Sequence, residues 1–191
     1  MQTMQQPFLM ERDEALELLM RHVTSPSLLV HSRATAAIMR RVAGYLGEDA
    51  DTWEIIGLLH DVDYDLVAGD MSRHGIQGYQ ILVRNGIPEE IAEVVRRHNH
   101  LLFGDYTTPV EIALQAADSA SGLIIACALV KGGAIDQVSP KTVKKKFKDK
   151  AFAAGCERER IRMIESLIDL DTFYTLAIEG LAGVRAEIGL I

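Results

Sequence analysis

The residues in this chain best suited to chemistry are histidines and aspartates. Six histidines occur: His22, His31, His60, His74, His98 and His100. His60 is followed directly by Asp61 at the end of an apolar run containing Ile55, Ile56, Leu58 and Leu59. Asp118 lies among the mostly small and apolar side chains of Ala113–Ala120. A carboxylate in that setting is expected to be buried, and a buried charge must be paired or coordinate a cation. No Lys or Arg lies from residue 98 to residue 130, so no neighbour three or four positions along a helix neutralises Asp118. A metal ion is the expected partner. Neutral imidazole with carboxylate suits first-row divalent ions, and the lack of a nearby cysteine argues against a structural zinc cage.

Helices must position these groups, because the helical period dominates the chain. Leu16, Leu19, Met20 and Val23 recur at helical spacing over 13–23, with Asp13 as the expected cap. After the break at Thr24–Ser25–Pro26, a helix over 27–46 carries His31 and stops near Gly47. Asp51–Thr52–Trp53–Glu54 reads as a capping box for a short apolar helix that ends at His60. Asp61–Met71 holds four aspartates with little periodicity and reads as a loop. Helices over 72–84 and 88–100 follow, separated by Asn85–Gly86, with Pro88 in the first turn of the second. Thr108–Pro109–Val110–Glu111 is a capping box that opens a long helix to Val130. Ser139–Pro140 opens a Lys-rich helix closing at Gly155, and helices over 157–168 and 172–188 complete the chain. No run alternates convincingly enough for a strand. The expected fold is all-α, with an N-terminal helix in 1–26, a core in 27–130, and C-terminal helices in 131–191 packed on that core in the same domain.

Composition narrows the partners. The chain has 191 residues, enough for one domain with a real core. Its formal charge of −7 argues against coating a nucleic-acid polymer or a membrane surface, where Lys and Arg must neutralise phosphate. Cys127 and Cys156 form no CxxC pair, and Cys127 in its apolar run reads as a buried thiol. No disulfide framework is expected, which fits a cytoplasmic location. Met1–Met10 lacks a basic region followed by an apolar stretch, so no signal peptide is read there. The apolar run Ala113–Val130 is interrupted by Gln115, Asp118 and Ser119, which marks a buried helix instead of a membrane span.

The ordered series His31, His60–Asp61 and Asp118 resembles the H…HD…D signature of HD-superfamily phosphohydrolases. "LLVHSRATAAIMRRVA" is similar to the helix of the first His, "WEIIGLLHDVDYD" to the doublet with its acidic turn, and "EIALQAADSASGLI" to the helix of the last Asp. The likeness covers about 27–130. It is closest to a bacterial branch of HD hydrolases that also carries a helix like "SPKTVKKKFKDKAFA" at 139–153.

The resemblance implies an HD-type helical domain and one ion held by His31, His60, Asp61 and Asp118. In HD branches with two metals, extra histidines lie between the doublet and the last Asp, and His74 and His98 occupy those positions. Asp61 would then bridge the ions. His100 would point elsewhere on its helix, and His22 is expected to serve as a surface or capping residue. The expected cofactor is one or two divalent ions among Mn, Fe, Ni, Co, Mg and Zn. The expected reaction is hydrolysis of a small phosphate ester or nucleotide by metal-activated water. Asp63 and Asp65 stand as candidates for general acid or for partners behind a ligand. Arg33 is a candidate for the site entrance. Lys144 and Lys148 are candidates for holding a substrate phosphate as point charges, against the alternative of a solvated basic face. The chain lacks the Gly-Tyr-Pro feature of cyclic-dinucleotide phosphodiesterases. The same ligands would serve a di-iron oxygenase of the HD fold, and a non-catalytic nucleotide-sensing HD domain is the other alternative.

Overall fold

The computed structural model describes residues 10–191. The signal-peptide reading of Met1–Met10 and most of the first ten residues of the expected 1–26 segment therefore lie outside the described residues. Among the described residues the fold is all-α, as the periodicity predicts.

Two helices set the distance on which the site depends. Helix α1 spans Arg12–His22, and α2 spans Pro26–Leu46, opening with proline in its first turn and ending at Gly47, whose φ of 76° is the left-handed conformation of a helix stop. Helix α3, Ala50–Leu59, packs along α2. At ten residues α3 is too short to persist alone. It is fixed by burying Trp53, Ile55, Ile56, Leu58 and Leu59, each contributing roughly 1.5–3 kcal/mol. Gly57 permits the closest approach: a Cβ there would come within 2.8 Å of Ala36 Cα on α2. The missing side chain lets the end of α3, with His60, settle beside His31.

Between α3 and the next long helix lie α4 (Tyr64–Val67), α5 (Ile76–Arg84) and α6 (Glu89–Arg97). Helices α5 and α6 pack as a hairpin around Asn85–Gly86. Helix α7, Pro109–Leu129, is the central core helix. Thr108 Oγ1 accepts the Glu111 N–H at 3.4 Å, and the Glu111 carboxylate accepts the Thr108 N–H at 3.3 Å, which is the expected capping box. By length and composition α7 passes for a membrane span, but 72% of its most apolar stretch is buried within the fold. Helices α8 (Pro140–Lys148), α9 (Arg158–Arg162) and α10 (Leu170–Gly183) follow. They pack back on α7 and α2 through Val143, Ile161, Phe173, Tyr174 and Ala177.

Several expected boundaries differ, each for a local reason. Asp13 lies inside the first turn of α1; the turn is closed by Glu14, whose carboxylate accepts the Glu11 N–H at 3.0 Å. Helix α3 starts earlier than expected because Asp49, not Asp51, caps it, accepting the N–H groups of Asp51 and Thr52 at 3.1 and 3.2 Å. The acidic stretch after His60 is not all loop, since Tyr64–Val67 coils into a short turn of helix over the buried Val67. The Lys-rich helix stops at Lys148 instead of Gly155. There the Arg158 guanidinium donates to the carbonyls of Phe147, Asp149, Phe152, Ala153 and Cys156, so a side chain satisfies backbone groups that a helix would otherwise pair. Ala151 is exposed beyond the end of that helix, while Val143 and Phe147 are buried within it. The segment expected as one helix over 157–168 is the five-residue α9 followed by a 3₁₀ turn, Met163–Ser166.

Candidate metal centre

Four histidines present the same ring nitrogen to one point, and each has its other ring nitrogen held. His60 follows the last turn of α3 and its Nδ1 donates to Gly57 O at 2.7 Å. His98 stands in the same relation to α6, with Nδ1 donating to Val95 O at 2.5 Å. A carbonyl three residues back can only accept, so each ring keeps its proton on Nδ1 and turns Nε2 outward. His74 donates from Nδ1 to Asp63 Oδ1 at 2.8 Å. On α2, His31 Nδ1 lies 3.2 Å from Ser121 Oγ. That hydroxyl donates to Asp118 O at 2.9 Å, which leaves its lone pairs for the His31 N–H.

The four Nε2 atoms surround Asp61, which follows His60 in the turn after α3. Asp61 Oδ2 lies 3.5 Å from His31 Nε2 and 3.3 Å from His60 Nε2. Asp61 Oδ1 lies 3.3 Å from His74 Nε2 and 3.2 Å from His98 Nε2. Asp118, from the middle of α7, places Oδ1 at 3.1 Å from His31 Nε2 and 3.8 Å from His60 Nε2. Two sets of atoms close enough to hold one ion result: His31, His60 and Asp118, and His60, Asp61 and His98.

The electrostatics call for positive charge. Burial opposes ionisation of Asp61, but His60 together with hydrogen bonds from His74 and His98 outweighs it and holds the carboxyl well below its usual range. Asp118 behaves alike: His31, His60 and Arg160 overcome burial and keep it ionised. Burial likewise disfavours a charged His60, yet Asp61 and Asp118 push its pKa well above the ordinary 6.5. For His74, Asp61 and Asp63 prevail over burial and push the pKa up to about 9. His31 Nε2 and His60 Nε2 are 3.2 Å apart. One proton satisfies that gap as an N–H···N hydrogen bond in metal-free protein, and a divalent ion held by both nitrogens would take its place. Imidazole and carboxylate donors together fit a borderline or hard divalent ion.

Residues 28–123 match the family model of the HD domain, half of the chain. The protein belongs to the HD-domain family. HD domains bind divalent metals, and the family is in general one of metal-dependent phosphohydrolases. No curated protein matches the chain.

An HD centre opens to solvent through a cavity of about 480 Å³ whose wall includes His31, Asp61, His74, His98, Asp118 and Arg160. Other expected site residues fall in different places. Asp63 is fully buried and accepts from His74 Nδ1, Gly75 N and Gly78 N at 2.8, 2.8 and 2.7 Å. It is engaged behind His74 and forms no part of the cavity wall as a general acid. Asp65 borders the cavity, but its Oδ2 takes the N–H groups of Thr24 and Ser25 at 2.8 and 3.3 Å and so fastens the entry to α2. Arg33 does not reach the cavity; its Nη1 donates to Glu187 O at 3.3 Å. Lys144 pairs with Asp171 at 3.0 Å, and with Lys148 it lines a separate groove that also holds Lys131, Lys141 and Lys145. Neither lysine reaches the centre, because α8 turns its charged flank to that groove. His100 lines the cavity outside the cluster and its Nε2 pairs with Glu157 at 2.9 Å, and His22 closes the last turn of α1.

Asp118, expected to lack a cationic partner along its own helix, has one from another. Arg160 on α9 places Nη2 at 2.5 Å from Asp118 Oδ2 and Nε at 2.7 Å from Gln115 Oε1. The partner is 42 residues away in sequence, where a search one helical turn along α7 does not look. Asp118 Oδ1 still faces His31 and His60. It is the convergence of imidazoles and carboxylates, and not the absence of a cation, that makes a metal site. Sequence reading also missed Ser121, one turn after Asp118 on α7. It missed Gln115, whose Nε2 donates to His98 O at 2.9 Å, and Asn99, whose Nδ2 donates to Met71 O and His74 O.

Proposed function

We propose that the protein is a metal-dependent phosphohydrolase that cleaves a small phosphate ester, with water as the nucleophile. One observation carries the reading. Asp61 turns its two oxygens to two different pairs of histidines, and every one of those rings is held from behind in the orientation that exposes Nε2. His31, His60, Asp61 and Asp118 would hold one divalent ion, and Asp61, His74 and His98 a second. Bound there, such ions supply a water of lowered pKa and positive charge against the phosphoryl oxygens.

The chain's own residues do the rest. Asp61 and Asp118 stay ionised through the neutral range, so the ligand set is ready without loss of protons from its carboxyls. Gly57 O, Val95 O, Asp63 and Ser121 lock the rings, so little reorganisation accompanies binding. His60 and His98 are nearly shielded from solvent, whereas His31 is partly open to the cavity. A substrate therefore approaches from the His31 and Asp118 side. A cavity of about 480 Å³ suits a compact ester and excludes a polymer from the cluster.

The test is elemental analysis of the purified protein, followed by addition of Mn, Fe, Co, Ni, Mg or Zn and a screen of small phosphate esters and nucleotides. Divalent metal with release of inorganic phosphate is the expected result. Absence of metal that none of these ions restores would overturn the reading. Metal present, with oxygen consumed and no phosphate released, would replace it with the oxygenase alternative.

A further inference from the structure

Arg160 has more hydrogen-bonding capacity than its protein partners use. Its guanidinium is held in a fixed plane: Nε donates to Gln115 and Nη2 to Asp118 Oδ2, both partners on α7. The side chain is only 12% exposed, yet it forms part of the wall of the cavity that leads to the histidine cluster. Among the described residues Nη1 has no hydrogen-bond partner, and its contact with Glu157 Oε1 is a loose 3.9 Å. The same Glu157 oxygen lies 2.9 Å from Nε2 of His100, which is also part of the cavity wall. An anionic oxygen thus already rests between Arg160 and His100, on a half-exposed side chain that can swing into solvent.

We infer that Arg160 is a substrate-binding residue whose Nη1 receives a phosphoryl oxygen, and that the Glu157 carboxylate occupies this place until substrate displaces it. The inference rests on the phosphohydrolase reading for its ligand class. A guanidinium donates in a rigid fork, so anchoring two of its nitrogens aims the third. Holding Asp118 Oδ2 also leaves Oδ1 as that residue's one free oxygen toward His31 and His60. Arg160 lies outside the segment matched by the HD model, so α9 adds to the centre a group from beyond that segment. Its charge would balance a phosphate next to two ionised aspartates.

Inorganic phosphate binding to the manganese-loaded protein, followed by calorimetry with metal content measured on each sample, separates the possibilities. Arg160→Gln, which retains a donor for Asp118, is expected to keep its metal and weaken phosphate binding by about ten-fold or more, the loss of one charge-assisted hydrogen bond. Glu157→Gln touches neither Asp118 nor the histidine cluster around it and is expected to tighten phosphate binding several-fold by removing the competing anion. Wild-type affinity in Arg160→Gln would overturn the assignment. So would a wild-type protein that binds no phosphate. If Arg160→Gln loses metal, Glu157→Gln decides alone: unchanged affinity there would reduce Arg160 to a support for Asp118. A protein that binds phosphate through Arg160 but hydrolyses no ester would leave this assignment standing and remove the proposed reaction.

Discussion

The two oxygens of Asp61 face unlike surroundings. Oδ2 looks toward His31, His60 and a second carboxylate, Asp118, which is itself held by Arg160. Oδ1 looks toward His74 and His98, whose side chains are 7% and 3% exposed, against 26% for His31. The first half offers a second carboxylate ligand, Asp118, and an opening to solvent at His31; the second has Asp61 as its one carboxylate ligand, with Asp63 held behind His74, and no open histidine. Cation affinity follows the charge of the ligands and the rigidity of the site. On the proposed function, the two halves are not expected to load alike: the Asp118 half should bind its ion first and the His74 half second.

The largest effect should come from the residue the halves share. Asp61→Ala is expected to abolish retention of divalent metal in both halves, while helical circular dichroism stays close to wild type, because Asp61 sits in a turn and supports no helix core. Elemental analysis checks this, with wild type expected near about two ions if both halves load. One ion retained by Asp61→Ala would show that the halves are independent and break the comparison.

Next in size is a pH effect that separates loaded from metal-free protein. His74 has an ordinary pKa of 6.5 that Asp61 and Asp63 push up to about 9 in the fold, against the opposing effect of burial. A raised pKa contributes stability that is full below about 6.5 and is lost as pH rises through about 9. His60 changes in the same direction. Metal-free protein should therefore melt at progressively lower temperature between about pH 6.5 and 9. Manganese-loaded protein should lose less over that range, because the ion takes the place of the protons. Parallel melting curves for both forms across that range would remove the cluster as the source.

A smaller change tests the second half alone. Asp63→Asn keeps the size of the side chain that orients His74 but removes its charge. Loss of such a partner behind a ligand costs about 10–100-fold in metal affinity. That loss is expected for one of two binding steps in a manganese titration, with the tighter step unchanged. A loss in both steps would mean that the halves are coupled through Asp61 more strongly than their surroundings indicate.

Much of this was legible because it is local or ordered in sequence. His31 and Asp118 sit on apolar helices that periodicity reveals, the His60–Asp61 doublet follows directly on another, and Thr108–Glu111 announces the start of α7. What stayed hidden depends on contacts between distant segments. Arg160 reaches Asp118 from another helix, and Asp63 turns from a candidate acid into the anchor of His74 through N–H groups of Gly75 and Gly78. The early stop of α8 depends on Arg158, ten residues beyond Lys148, and no residue within the helix signals it. Gly75 hides a similar constraint: its φ is 82° and a Cβ would meet Arg96 O at 2.5 Å, so the turn that presents His74 can be built only with glycine.

The smallest effect concerns the lysines, which were candidates for holding a substrate phosphate and lie beside a different groove. Val143 and Phe147 do face the core. The flank with Lys144 and Lys148 then borders a groove of about 880 Å³ shared with Lys131, Lys141 and Lys145, while the histidine cluster opens into a different cavity. Lys144 is half-exposed and paired with the still more exposed Asp171, an arrangement worth about 0–1 kcal/mol. Charges in water are screened within about 8–10 Å at ordinary salt, so these lysines have little hold on an anion inside the other cavity. The double variant Lys144→Ala with Lys148→Ala is therefore expected to keep wild-type metal content and to leave KM for a phosphate ester within about two-fold, since one such surface charge contributes little. A marked rise in KM that weakens with added salt would show that the groove and the metal cavity serve one substrate, and the separation drawn between the two regions would fail.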